Sequence, residues 1–153
     1  MPSSQPQTLP RIVPMIAYED VASALGWLAE AFGFAERMRF EDPNGRITHA
    51  EMELGDGVIM LANPTPDYQS PKHHRDVCEA ARRWSSVSWV IDGLLVYVDD
   101  VDKHFERAKN AGATILSEPQ DQTYGDRNYR VEDPEGHRWM FARHLRDVAP
   151  EEW

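Results

Sequence analysis

The sequence predicts an α+β fold of two tandem βαβββ modules, whose eight strands form a curved mixed sheet around a shared cleft with the helices outside. Two observations carry this prediction. In each half of the chain, one short apolar segment precedes a segment of helical period, and strand-like segments follow. The two halves also match when the chain is shifted by about 80 residues.

The first module opens with an apolar strand at residues 12–18, which Pro14 places at a sheet edge or near a bulge. Asp20 is a typical helix N-cap, and Gly33 a typical C-terminal residue. Between them, apolar residues recur at helical spacing at Val21, Leu25, Leu28 and Phe32. Three further strands are expected at 35–41, 47–54 and 58–62, separated by Asn-Gly and Gly-Asp turns.

The second module repeats this order. A strand at 94–98 leads into a helix that begins at Asp99-Asp100 and ends at Gly112. Strands are then expected at 114–117, 128–132 and 138–143, with a four-residue Asp-Pro-Glu-Gly turn at 133–136. The repeat aligns Asp20 with Asp100 and Met60 with Met140.

These patterns divide the chain into five parts. They are a flexible arm at 1–10, the first module at 11–63, a connector with a short helix (75–84) at 64–90, the second module at 91–144, and a C-terminal tail at 145–153.

Composition narrows the possible partners. The formal net charge of −10 disfavours nucleic acid and anionic membrane surfaces. The single cysteine, Cys78, excludes an intrachain disulfide and a cysteine-ligated zinc site, and fits a cytoplasmic protein. The most apolar stretch, residues 89–98, is too short to span a bilayer.

The paired modules carry three short motifs. Tyr-Glu-Asp-Val at 18–21 and Val-Asp-Asp-Val at 98–101 enter the two helices, and Val-Glu-Asp-Pro-Glu-Gly-His occupies 131–137. With these motifs the chain, from about residue 12 to 143, resembles the vicinal oxygen chelate superfamily of glyoxalase I, bleomycin-resistance proteins and extradiol dioxygenases. The resemblance implies a homodimer, and strand edges left open in the sheets are compatible with pairing.

The resemblance also implies where a metal would bind, on the first and last strand of each module. The corresponding residues here are Val13, Met60, Gly93 and Met140, none of which is a ligand for a hard divalent metal. The neighbouring residues are apolar too, with Asp92 as the one exception. We therefore expect no metal and no cofactor, as in the bleomycin-resistance branch.

The cleft lining follows from the expected strand pairing. A two-residue turn at Gly55-Asp56 pairs Glu51 with Met60 and His49 with Ala62. A four-residue turn at 133–136 would pair Tyr129 with Met140 and Arg127 with Ala142. The expected ligand-binding residues are thus His49, Glu51, Met60, Arg127, Tyr129, Met140, Val13 and Leu95. Trp84 and Trp89 of the connector are candidates to close the cleft mouth.

Two functions are the main alternatives, beside a third in which the chain is a partner-binding module or a degenerate paralogue with no ligand. The first is binding of a small, largely hydrophobic organic molecule in a metal-free cleft, such as sequestration of an antibiotic. The second is a lyase, isomerase or dioxygenase-type enzyme, with His49 and Glu51 as catalytic candidates for proton transfer or for an atypical metal site. His49 and Glu51 could equally be a structural pair. The other histidines, including His104 and His137, are expected at the surface.

Overall fold

A computed structural model describes residues 9–90 and 93–153. Most of the expected flexible arm and the exceptional Asp92 therefore lie outside the described residues. The elements are β1 (Met15–Ala17), α1 (Val21–Phe32), β2 (Ala35–Glu41), β3 (Ile47–Leu54), β4 (Gly57–Ala62), α2 (Pro71–Val77), α3 (Glu79–Trp84), β5 (Gly93–Tyr97), α4 (Val101–Asn110), β6 (Thr114–Asp121), β7 (Asp126–Glu132), β8 (Arg138–His144) and a 3₁₀ turn (Pro150–Glu152).

The two βαβββ modules are confirmed. Each forms a four-stranded mixed sheet, with order β1-β4-β3-β2 in the first and β5-β8-β7-β6 in the second. In both, the first strand is parallel to the last, and the remaining pairs are antiparallel. Within the described residues, the eight strands stay in two sheets that do not close into one.

The expected helix boundaries are also close to those observed. Asp20 and Asp100 are the N-caps, and their carboxylates accept from the amides of Ser23 and Lys103. Gly33 ends α1 with φ 85°, a conformation that favours glycine. The connector differs from expectation, because extended backbone at Cys78 divides its single expected helix into α2 and α3.

One hydrophobic core joins the modules. Helices α1 and α4 contact each other, and the Phe32 ring of α1 packs on Trp139 and Phe141 of β8 with centroids 5.3 and 4.7 Å apart. His104 of α4, expected at the surface, instead bridges the modules through the Phe32 carbonyl (2.9 Å) and the Tyr129 hydroxyl (2.6 Å). Because the helix-covered faces of both sheets meet this core, their opposite faces point away from it.

The Asp-Pro-Glu-Gly turn is a second link between modules. Asp133 is buried and its Oδ2 accepts from the Tyr18 hydroxyl at 2.6 Å and from Trp139 Nε1 at 3.2 Å. The Glu135 carboxylate accepts from the amides of Glu19 and Asp20, just before α1. His137, another residue expected at the surface, is partly buried with its ring nitrogen 2.7 Å from the Ala17 carbonyl. The turn of the second module thereby fixes the start of the first helix.

This turn also explains an error in the expected pairing. The Asp133 amide donates to the His137 carbonyl, so the loop has three residues and ends in Gly136 with φ 88°. Glu132 consequently pairs with Arg138, and every residue of β7 is shifted by one from the expected partner. The first hairpin was predicted correctly, with Leu54 opposite Gly57 and Glu51 opposite Met60.

None of the helices in the part of the chain described here is long and apolar enough to cross a membrane.

Candidate functional site

The face of the first sheet that is turned away from α1 holds three of the eight expected site residues, His49, Glu51 and Met60. We call it the first open face. Met15 lies opposite Met60, Met60 opposite Glu51, and Glu51 opposite Met38. Met15 is 80% exposed, whereas its neighbour Ile16 is buried against the core. The centre of the face is thus a methionine surface around the Glu51 carboxylate.

His49 and Glu51 meet on this face. Nε2 of His49 lies 3.1 Å from Oε2 of Glu51, as the strand alternation predicted. Only 7% of the Glu51 side chain is exposed, against 31% for His49. The other carboxylate oxygen, Oε1, is buried and has no partner among the described residues. A buried acceptor of this kind normally has a donor.

Arg37 is a member of this face that the sequence analysis missed. It lies at a register shift between Glu36 and Met38, where β2 bulges relative to β3. Its Nε is 3.6 Å from Oε2 of Glu53, while its Nη1 is buried and unpartnered among the described residues. An unshifted register from the Ala35–Glu53 pair would place Arg37 opposite Glu51, but no register was predicted for β2 and β3, so Arg37 was not named.

The second sheet has a matching open face. Leu95 lies opposite Met140, and Met140 opposite Arg130, so these residues repeat the positions of Met15, Met60 and Glu51. A hollow of about 150 Å³ opens here, lined by Ser88, Trp89, Gly93, Leu94, Leu95, Arg130, Arg138, Trp139 and Met140. It brings together four residues named from the sequence, namely Trp89, Gly93, Leu95 and Met140.

The one-residue shift removes two expected members from this face. Tyr129 lies opposite Phe141 on the helix-covered side, fully buried, and burial raises the pKa of its hydroxyl. Arg127 lies on the same side and forms ion pairs at 3.0 Å with Asp102 and Asp121. Arg130 is the basic residue that takes their place.

The connector is fixed to the second sheet by a buried ionic cluster. Glu132 accepts from Arg75 of α2 at 2.7 Å and from Arg138 of β8 at 2.8 Å. Arg138 also donates to the carbonyls of Ser85 and Val87. These bonds hold the segment that brings Trp89 to the hollow, whereas Trp84 lines a separate pocket near Tyr68.

A series of hydrogen-bonded polar side chains lies at one end of the second open face. Asp126 is buried and accepts from the Tyr97 hydroxyl at 2.8 Å, and its other oxygen is 2.8 Å from Nδ1 of His144. Nε2 of His144 is 2.7 Å from Asp147. Both carboxylates raise the pKa of His144, which favours the imidazolium form.

The residues at the family's metal positions do not fit a metal. Met60 and Met140 supply only thioethers, Gly93 has no side chain, and Val13 lies just before β1. The described residues contain no group of three or more histidine, cysteine, aspartate or glutamate side chains arranged for a metal ion.

Comparison with known proteins agrees with this architecture. An uncharacterized protein of Mycobacterium bovis is 32% identical over 143 residues, covering 94% of this chain and 89% of the relative. The crystal structure of TioX from Micromonospora sp. ML1 is 35% identical with a TM-score of 0.66, covering 89% of this chain and 99% of that one.

A family enzyme from Burkholderia phytofirmans PsJN, described as a glyoxalase/bleomycin resistance protein/dioxygenase, shares the fold at 20% identity. Its TM-score is 0.61, and the match covers 87% of this chain and 97% of that one. The family model described as Glyoxalase/Bleomycin resistance protein/Dioxygenase superfamily matches residues 8–141. With its two βαβββ modules and its matched open faces, the chain belongs to the glyoxalase/bleomycin resistance protein/dioxygenase superfamily.

Proposed function

We propose that this protein binds a small, largely hydrophobic organic molecule in a metal-free cleft, and that it sequesters an antibiotic-like compound in the cytoplasm. The observation that carries the proposal is the chemistry of the open faces. Methionine and leucine occupy their centres, at Met15, Met60, Leu95 and Met140, and two of these, Met60 and Met140, correspond to positions of metal ligands in metal-dependent relatives. Flexible thioether side chains adapt to an apolar ligand of irregular shape.

The few polar groups on these faces give the ligand its orientation. Glu51 and His49 supply them on the first face, and Arg130 supplies one on the second. An apolar pocket with a small number of placed polar groups is the usual form of a small-molecule site. Trp89, held at the hollow by the connector, adds an aromatic wall.

The proposal includes a homodimer in which the first open face of one copy meets the second open face of the other. Each face presents exposed apolar side chains, including Met15, Phe40, Leu95 and Tyr97. Since both faces point away from the core of their own chain, a second copy is needed to enclose a ligand between them. Sedimentation that gives the monomer mass at micromolar protein would contradict the dimer.

Calorimetric titration with divalent zinc, nickel, manganese and iron tests the metal-free cleft. We expect no stoichiometric binding beyond the weak heat of surface histidines. As a control, the His73→Ala/His74→Ala variant removes an exposed histidine pair on α2 and should abolish that residual heat. Tight one-to-one binding that Glu51→Gln abolishes would overturn the proposal.

A second candidate function is an enzyme that uses His49 and Glu51 for proton transfer. The 3.1 Å contact favours it, because a carboxylate that fixes the orientation of an imidazole is a common arrangement for proton transfer. His49→Ala that abolishes a measured turnover while ligand affinity is kept would support this candidate. An unchanged turnover in that variant would eliminate it.

A further inference from the structure

The hollow on the second open face combines an aromatic wall with a basic side chain. Trp89, Leu95 and Met140 are its apolar members, and Trp89 is 71% exposed. Arg130 lies opposite Met140 and lines the same hollow, so a molecule bound there would contact it. An exposed tryptophan beside a hollow of about 150 Å³ suits a flat apolar group.

The guanidinium of Arg130 is available to a ligand. The side chain is partly exposed, and in the part of the chain that the structure describes only the backbone amide of this residue forms a bond to a side chain, that of Ser117. Glu132 lies two residues along β7 on the same face. Both of its carboxylate oxygens already accept from Arg75, and one of them also accepts from Arg138. This carboxylate is therefore engaged elsewhere.

The same ionic cluster makes the hollow locally positive. Arg75 and Arg138 share the single carboxylate of Glu132, which leaves one positive charge in excess beside the hollow. The two terminal nitrogens of Arg138 donate to the carbonyls of Val87 and Ser85, so this arginine contributes its charge to the hollow more than its donors. Since the whole chain has a net charge of −10, the excess is a local feature that attracts an anion to this face.

The chemistry of the hollow narrows the ligand. An organic cation would be repelled by the excess positive charge. A neutral apolar molecule would fill the walls but leave the arginine without a partner. A carboxylate on a flat ring serves both features, because the planar guanidinium matches a carboxylate with two parallel hydrogen bonds.

We propose that the ligand of this cleft is an aromatic carboxylate. Its ring lies in the hollow against Trp89, Leu95 and Met140, and its carboxylate accepts from the guanidinium of Arg130. This inference rests on the proposed function and specifies its ligand class.

A matched set of probes tests the inference on the full-length protein. The set is 2-naphthoate, 2-naphthamide and 2-naphthylmethylammonium, which share one ring system and are negative, neutral and positive at about pH 7.5. Titrations followed by ¹H–¹⁵N NMR shifts give each Kd and locate each probe. We expect the naphthoate to bind about tenfold more tightly than the naphthamide, and the largest shifts to fall at residues 93–95 and 138–140. The preference should weaken between about 0.1 M and 1 M NaCl, because salt screens an exposed charge pair.

Variants locate this preference. Arg130→Met keeps an apolar stem but removes the charge, so it should abolish the preference for the naphthoate and leave naphthamide affinity unchanged. The matched control is Arg143→Met, an exposed arginine of β8 that lies opposite Arg127 on the helix-covered side, and it should keep the preference. Trp89→Ala should weaken all three probes roughly fivefold, because the ring loses its aromatic wall. The wild-type comparison of naphthoate with naphthamide decides the question even if a variant fails to fold.

The outcomes separate this inference from the proposal beneath it. Equal affinity of the wild type for naphthoate and naphthamide, or a preference that survives in Arg130→Met, would overturn the carboxylate inference and leave the apolar cleft standing. Failure of all three probes to bind at about 1 mM, the range of the weakest specific ligands, would overturn the proposed cleft and the inference with it.

Discussion

Replacing Asp133 by alanine should destabilise the protein more than its position in a turn suggests. The side chain is buried, and its Oδ2 is the acceptor for the Tyr18 hydroxyl and for Trp139 Nε1. Truncation would leave these two buried donors unpaired, at about 1–3 kcal/mol each, and would also remove the acceptor of the loop amides of Glu135 and His137. Burial also raises the pKa of Asp133, which shows that its charged form is costly to keep, and this offsets part of the loss.

The expected net loss in the free energy of unfolding is about 3 kcal/mol, equivalent to a fall of roughly 6–12 °C in the melting temperature for a chain of this size. Urea unfolding followed by tryptophan fluorescence measures it, and an unchanged m-value would show that the two-state analysis still applies. The matched control is Asp56→Ala in the exposed turn of the first module, which should change stability by less than about 0.5 kcal/mol.

The Tyr18–Asp133 contact can be isolated by a double-mutant cycle. Tyr18→Phe removes the donor alone, so its effect should shrink in the Asp133→Ala background, with a coupling of about 1–2 kcal/mol. A loss of unfolding free energy below about 1 kcal/mol for Asp133→Ala, or additive effects in the cycle, would refute the conclusion that this turn stabilises the junction between the modules.

Three further predictions concern single side chains. Burial lowers the pKa of His104 in the folded protein. The contribution of this side chain to the free energy of unfolding is therefore complete above about pH 6.5, the pKa of an unfolded histidine, and is lost as the pH falls. The difference in unfolding free energy between wild type and His104→Gln should therefore shrink from about pH 7.5 to 5.5, whereas for His144, whose pKa is raised, it should grow. Glu51→Leu should raise the unfolding free energy of the ligand-free protein by about 1 kcal/mol, because it removes an unpaired buried oxygen; a decrease in urea unfolding would contradict this. Gly136→Ala should cost more than Gly112→Ala in thermal unfolding: both have positive φ, but only at Gly136 would the added Cβ lie 2.7 Å from the Lys72 backbone nitrogen.

Local chemistry was enough to predict the modules. The caps at Asp20 and Asp100 depend on their own carboxylates and the next three residues, so the sequence contains the whole interaction. The first hairpin has the same property, because the Gly55-Asp56 turn sets the register of Glu51 and Met60 by itself.

The second hairpin shows where local reasoning fails. Its loop length depends on the Asp133 carboxylate, which accepts from two amides of the loop and from two side chains elsewhere in the fold. A turn formed partly by the other module cannot be sized from its own residues. One residue of error was enough to exchange Arg130 for Tyr129 on the open face, because side chains alternate along a strand.

Stability and ligand binding depend on different residues of this chain. The polar contacts that tie one module to the other involve Tyr18, His104 and Asp133, on the inner side of the sheets. Those of the second open face, from Arg75 to Glu132 and from Tyr97 to Asp126, stay within the connector and the second module, and on the first open face two buried polar atoms are left unpaired within the described residues. Because the core already joins the modules, residues on the open faces can vary with little effect on the fold. Substitutions there should change ligand preference first and stability second, and those at the module junction should do the reverse.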